Sequence, residues 1–400
     1  MILSRTYRIL IVMLLALALP GSSSFCAHAE DEAVTSAAIQ PVSPVQTDSV
    51  SAHTGLEMPS DSAARADAAP MATEIAPEAE PFNPKKMVME HLADSYDWHI
   101  TTFKGRHISI PLPLIVKSST GWHVFMSNRI TGGGTYKGLY IAKEGSHEGK
   151  IVEDVDGDQR RPIDISLTKT ACGILVVCAI MLVLFLTAAR AYKKRNEVDY
   201  CPKGLAGLLE WLIDSLLDNV IKPCVGENYL KFAPYLLTAF FFIFCSNLLG
   251  LVPFFPGGAN ITGNIAVTLV LAVATFLAVN LFGTKEYYKE IFWPDVPVFL
   301  KAIPLMPVIE FIGIFTKPFA LMMRLFANIM AGHSIILSIS CIIFATAHLG
   351  AAVNGSMTAI SVLFMVFMNC LELLVAFLQA YVFTMLSSVF IGLAQVKHEE

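Results

Sequence analysis

The chain has 400 residues, of which 54% are hydrophobic and 15% charged, with a formal net charge of −5. Soluble domains carry roughly 25% charged residues, so apolar side chains have displaced charge, mainly beyond about residue 170. The mild negative charge, with no basic patch interleaved with aromatics, excludes a nucleic-acid partner.

The first residues read as a secretory signal. Arg5 and Arg8 precede an apolar run, Ile9 to Leu19, that is too short to span a bilayer, and Ala27-His28-Ala29 resembles a cleavage site. A short amphipathic anchor is the other reading of this stretch. Cleavage would leave a mature chain starting near Glu30. Residues 30–84 are rich in Ala, Pro, Ser, Asp and Glu, with Arg65 as the only Lys or Arg. That composition buries too little apolar surface to fold and is expected to be a disordered linker.

Residues 85–166 change character. His107 to Leu112 and Trp122 to Met126 read as short strands, and Gly132-Gly133-Gly134 and Asp156-Gly157-Asp158 as turns, so a small, mostly β module is expected. Its five His residues lack ligand spacing. The run Asp154 to Asp158 echoes a calcium loop, but its Gly comes too early and Ile165 stands where a Glu is needed. No Cys lies between the signal and the first span, so no disulfide framework is expected there.

Residues 167–400 read as a membrane domain. Ala171 to Ala189 is the first span, and Arg190, Lys193, Lys194 and Arg195 place its far end in the cytoplasm. The N-terminal module then lies outside, in the periplasm of a bacterial inner membrane. Gly204 to Val220 reads as an amphipathic surface helix, with Leu205, Leu208, Leu209, Leu212, Ile213 and Leu216 against Glu210, Asp214 and Asp218. Ala233 to Val252 and Asn264 to Phe282 are further spans. The loop Gly283 to Ala302 carries Lys285, Lys289 and Lys301 and fits the inside. Two apolar segments remain, 305–345 and 357–395, each about 60 Å long as a helix against a hydrocarbon core of about 30 Å. They must tilt, break or cross twice. The uncharged joint Ala345 to Ser356 reads as a hairpin turn, and the C-terminus returns to the cytoplasm.

The chemistry lies in these two segments. Arg324 sits in apolar sequence, and a permanent cation there costs at least about 2.5–3.5 kcal/mol on insertion scales, so it must face a carboxylate, water or protein. At about 100° per residue, Lys317 and Glu310 fall within about 40° of its stripe and Asn328 joins one turn later, while His333 points about 180° away. Glu372 and Gln379 share a face of the final segment. His333 and Glu372 together would make a proton relay. Lys317 and Glu310 read equally well as interfacial residues, and a lone His in a helix is usually a satisfied core residue.

Arg324-Leu-Phe-Ala-Asn328-Ile-Met-Ala-Gly-His333, the upstream Thr316-Lys317-Pro318, Leu378-Gln379-Ala380-Tyr381-Val382-Phe383 and Ser246-Asn247-Leu248-Leu249-Gly250-Leu251-Val252-Pro253 resemble subunit a of F-type ATP synthases over residues 168–396. The resemblance implies that Arg324 faces a rotating ring of c subunits, and that the last two helices form a tilted hairpin against it. Some family members carry an acid at the position of His333 and a His at that of Glu372. The order is reversed here, and a relay needs both groups more than their order. The fold class expected is an all-α polytopic membrane protein of five to six helices with a β-rich N-terminal module. Its partners would be the c ring, the b-subunit stator stalk, the rest of the complex, lipid and a translocated proton, with Na⁺ left open. No cofactor, metal or nucleotide is called for. A secondary transporter with Arg324 binding an anion is the alternative, but it predicts paired broken helices in repeats, and the Arg motif occurs once. A non-conducting membrane scaffold would leave the buried Arg, His and Glu unexplained.

Overall fold

A computed structural model describes residues 94–395, apart from 104–105, 132, 143–146, 148, 156–157, 195–203, 253–256, 293–304 and 347–349. The expected signal peptide and linker, and the turn residues Asp156 and Gly157, lie outside the described residues.

The β-rich region consists of three small antiparallel sheets. Strand β1 (Asp97–Phe103) pairs with β2 (Arg106–Pro111). Strand β3 (Pro113–Ser118) lies between β4 (Gly121–Met126) and β8 (Ile163–Asp164), and β6 (Ile151–Val155) between β5 (Leu139–Ile141) and β7 (Asp158–Arg160). The expected strands at 107–112 and 122–126 are β2 and β4. Alternation along β3 turns Leu114 and Val116 inward, where they meet Tyr96, Phe125, Ile130, Leu139 and Ile151 in a small core. Pro113, Ile115 and Lys117 face out beside Trp122, Val124 and Met126. Ser127, a polar residue at the end of β4, suggests a surface site. It is instead fully buried, and its Oγ accepts the Leu112 N–H at 3.1 Å. Glu153 accepts from the backbone N–H and hydroxyl of Ser119, and these bonds hold its carboxyl below the usual range.

Three bonds tie this region to the first span. Leu167 N–H donates to the Pro113 carbonyl (3.2 Å), Lys169 N–H to the Ser95 carbonyl (2.9 Å), and Thr170 N–H to Asp94 Oδ1 (3.0 Å). Trp98, 2% exposed, packs into the core of the helices.

The helices are α1 (Lys169–Lys194), α2 (Leu205–Leu216), α3 (Tyr229–Leu251), α4 (Ile265–Leu281), α5 (Lys285–Phe292), α6 (Leu305–Ala345) and α7 (Ala351–Gln395). Among the described residues, four helical stretches are long and apolar enough to cross a bilayer: 169–193, 205–251, 308–345 and 352–395. The α4 helix, with 17 residues, spans about 25 Å at 1.5 Å per residue, close to one hydrocarbon thickness.

Several expectations change in detail. The amphipathic helix starts at Leu205, because Gly204 has φ 74° and begins no helix. It runs on through a π-helical stretch, Leu217–Ile221, and a turn, Lys222–Val225, into α3. Leu205, Leu208 and Trp211 remain exposed at spacings of three, while Leu209 and Leu216 are buried, so its apolar face is divided between the bundle and the outside. The loop 283–302 contains α5. The hairpin turn is shorter than 345–356: Gly350, at φ 103°, precedes α7, and Asn354 and Gly355 are helical. Neither has a Pro or charge beside it to stop the helix, so the flanking apolar run prevails.

Both long segments are unbroken, with 41 and 45 residues, which leaves steep tilt as the way to remain within a bilayer. Helix α3 is the hub. Phe240, Phe241 and Ile243 are fully buried, and Phe241 meets Phe185 of α1 edge to face with ring centroids 5.0 Å apart, an arrangement worth about 0.5–1.5 kcal/mol beyond burial. Helix α7 packs along α3 and α6, and α6 also packs on α4. At the far end a Cβ on Gly392 would overlap the Cys224 carbonyl, so only glycine permits that approach.

Candidate functional site

Helix α6 carries Glu310, Lys317, Arg324, Asn328 and His333, and α7 carries Glu372 and Gln379. The hairpin brings His333 and Glu372 together, with Nδ1 3.1 Å from Oε1. Glu372 is 6% exposed, and neither of its oxygens has a well-aligned hydrogen bond in the protein. Leaving a buried acceptor unsatisfied costs about 1–3 kcal/mol, more for a charge, and groups that persist in this state usually carry protons, ions or water.

Two glycines border the pair. A Cβ on Gly332 would stand 3.1 Å from Glu372 Oε1 and 3.3 Å from its Cδ, so the missing side chain is the space the carboxylate occupies. A Cβ on Gly250 of α3 would lie 3.5 Å from His333 Nε2, so the imidazole's second nitrogen faces α3. Asn247, one turn earlier, locks the helices: its Nδ2 donates to the Ala376 carbonyl at 3.2 Å, and its Oδ1 accepts from Thr262 at 2.6 Å. Ser246 Oγ and Asn260 Nδ2 are buried near this junction without partners in the protein.

Arg324 lies on a different face. It, Asn328 and Lys317 are exposed, while Leu321, Met322, Leu325 and Ile329 between them are buried. Lys317, Arg324 and Asn328 thus share an exposed stripe, as the spacing predicts, while Glu310, expected on it too, is half-buried. Along the helix Arg324 is about 13 Å from His333 and about 21 Å from Glu310 at 1.5 Å per residue, so His333 and Glu310 stand roughly a bilayer thickness apart. Glu310 is half-buried, and its charge reaches Tyr287 of α5, whose hydroxyl titrates above its usual range, first from burial and then from Tyr288 and Glu310. A narrow cavity of about 20 Å³ near it is lined by Asn280, Tyr287, Lys317 and Phe390, among others. Gln379 is 5% exposed on the same buried stripe of α7 as Glu372 and Ala376.

The sequence signal thus found the pair, the cationic stripe and the buried glutamine. It carried no sign that Gly332 and Gly250 border the His333–Glu372 contact, or that Ser246 and Asn247 lie buried beside it. Gly332 adjoins His333, and Ser246 and Asn247 begin a motif already recognised, but which atoms those residues would meet is a tertiary fact.

An exposed arginine on one long apolar helix, and a carboxyl buried against an imidazole where that helix meets the next, define a multi-pass membrane protein with charged and titratable groups set among its spanning helices. Residues 172–392 match the family described as ATP synthase A chain, and residues 87–166 match a domain of unknown function. The chain is 48% identical to ATP synthase subunit a 2 of Chlorobaculum tepidum over 58% of its own length and 64% of that protein's. It is 44% identical to ATP synthase subunit a of Chloroherpeton thalassium, over 59% and 68%, and 39% identical to that of Anaeromyxobacter dehalogenans, over 59% and 60%. The matches thus span about two thirds of the relatives' lengths. The chain belongs to the ATP synthase A chain family.

Proposed function

We propose that this chain acts as subunit a, the stator of the membrane sector of a rotary ATP synthase, and carries protons to and from a ring of c subunits. The buried His333–Glu372 contact, on the same helix hairpin as an exposed Arg324, is the observation that supports this most strongly. A proton enters from the side of the β-rich module, is held by His333 and Glu372, and passes to a ring carboxylate, which turns through lipid as a neutral group. On its return the carboxyl loses its proton to a second path on the opposite side, near Glu310, Lys317, Asn280 and Tyr287. Arg324 attracts the bare carboxylate and favours its ionised form, and because a guanidinium keeps its proton it also separates the two paths. Asn328 extends that polar stripe, and Gln379 supplies a neutral hydrogen-bonding group beyond Glu372.

The subunit binds no nucleotide. Residues 1–29 are a signal peptide, 30–84 a linker, 85–166 a periplasmic module and 167–400 the ion-conducting domain, with the C-terminus in the cytoplasm of a bacterial inner membrane. The exposed apolar faces of α6 and α7 fit a helical ring or lipid, and the b-subunit stalk holds the subunit static.

The test is ATP-driven proton pumping by the assembled complex in vesicles. Arg324→Ala should abolish it while detached ATP hydrolysis survives, and Arg324→Lys should fail badly, because an ammonium is a point charge that sheds its proton when desolvated. Normal pumping by either variant overturns the reading.

A further inference from the structure

The β-rich region meets the membrane domain at one charged residue. Lys169 is the first residue of α1. A cation at that end opposes the helix dipole, so helix stability does not account for it. It is held by the β-rich region: its N–H donates to the Ser95 carbonyl, the next N–H is capped by Asp94, and the carboxylates of Asp94 and Asp97 both act on its ammonium. The same ammonium is also within electrostatic reach of the His333 imidazole.

The intervening contacts are continuous. Gly173, one turn below Lys169, lies so close to the 257–264 loop that its Cβ would stand 3.0 Å from Ala259 Cβ and 3.2 Å from Ile261. The Ala259 carbonyl and His333 Nε2 both border Gly250. Ser246, one turn from Gly250 on the same face of α3, is 1% exposed with its Oγ unpartnered, and the Asn260 Nδ2 beside Ala259 is likewise buried and unpartnered. Buried polar atoms of this kind are ordinarily satisfied by water. A polar line therefore runs from the Asp94–Lys169–Asp97 cluster, past Asn260 and Ser246, to the Nε2 side of His333 and, through its ring, to Glu372.

We propose that Asp94, Asp97 and Lys169 form the entrance of the proton path on the module's side, where the two aspartates neutralise the lysine so that a positive charge can pass it to reach His333. This gives the domain of unknown function a role: Asp94, just ahead of its first strand, and Asp97, which begins that strand, supply the carboxylates that open the path. Lys169 and the aspartates are positioning residues, which act on the proton through its electrostatic environment. The inference rests on the proton-path reading above.

The experiment measures proton flow through the assembled complex in vesicles, normalised to complex content. Asp94→Asn with Asp97→Asn keeps the side-chain oxygen that caps Thr170 but leaves the ammonium bare. A unit charge about 10 Å away at an effective dielectric constant of about 20 is worth about a tenfold change in rate, so the double variant should slow flow by about that factor. Adding Lys169→Gln removes the bare charge and should restore flow to within about threefold of the parent, a non-additive recovery that marks the three side chains as coupled. A structural role for the aspartates would not predict that rescue. In a second arm, Asp97→Cys is modified after assembly by impermeant thiol reagents, so misfolding does not intervene; a cationic reagent should slow flow more than an anionic one. Unchanged flow in the double variant, a triple variant as slow as the double, or equal effects of the two reagents overturns the entrance. Glu372→Gln is measured alongside: normal flow in that variant refutes the proton-path reading itself, whatever the entrance variants do.

Discussion

Replacing Gly332 by alanine separates the stability of α6 from its transport role. In a helix interior the exchange should stabilise by about 1 kcal/mol, because glycine pays more backbone entropy. The new Cβ would stand 3.1 Å from Glu372 Oε1 and 3.3 Å from Cδ, closer than a relaxed carbon contact. The carboxylate is the free end of its side chain, so it yields by a few tenths of an ångström, away from Gly332 and the adjoining His333. The Nδ1–Oε1 separation of 3.1 Å is already near the long end of hydrogen bonding, and a shift of about 0.3 Å carries it to the edge of that range. If a misplacement of about 1 Å costs about 100-fold, then about 0.3 Å costs about fourfold in proton transfer. Gly332→Val, which forces a larger displacement, should be slower again. The assay is proton pumping in vesicles normalised to assembled complex, with thermal stability of the complex measured in parallel. Alanine and valine variants that both pump at the parent rate would show that the carboxylate's place beside His333 does not limit transport.

The remaining predictions concern the relay and the topology. His333→Ala and Glu372→Gln should each slow pumping without preventing assembly, and their combined defect should be non-additive because both break one path; strictly additive defects, with no recovery in a His333→Glu, Glu372→His exchange, would mean that the two groups work separately. A single cysteine at Val124, 69% exposed on β4, should react with an impermeant thiol reagent added to intact spheroplasts, whereas labelling only after lysis would put the module on the other side. The buried Ser127 would be a poor probe, since its hydroxyl is already used by Leu112.

What the sequence made legible followed from periodicity and from the cost of charge in lipid. The Arg324 stripe needed only the helical repeat, and the lengths of 305–345 and 357–395 forced the choice between tilt and breakage that the unbroken helices resolve. Asn354 and Gly355 look like turn residues, so 345–356 reads as the turn, yet both are helical and the glycine with positive φ at 350 stands just before α7. A polar residue just past the end of a strand such as Ser127 ordinarily faces solvent, but the N–H of Leu112, between β2 and β3, takes its oxygen and buries it. Properties of this kind depend on which strand or helix arrives opposite, and no local pattern encodes that.

The same distinction explains why the two halves of the site differed in legibility. Arg324 announces itself, because a charge that cannot be shed has few places to be in an apolar helix. Glu372 announces only that it is unusual, since a carboxyl can neutralise itself and wait in the dark. Its surroundings are residues that lack side chains or charge: Gly332, whose missing Cβ leaves room for the carboxylate, Gly250, which borders the other nitrogen of the imidazole, and Asn247, which fixes α7 against α3 by one bond to the Ala376 carbonyl. A relay requires two titratable groups at hydrogen-bonding distance and also an opening on the far side of one of them. Here Nδ1 stands 3.1 Å from Glu372 Oε1, and Nε2 borders Gly250 of α3, beside the junction where Ser246 and Asn260 lie buried without partners.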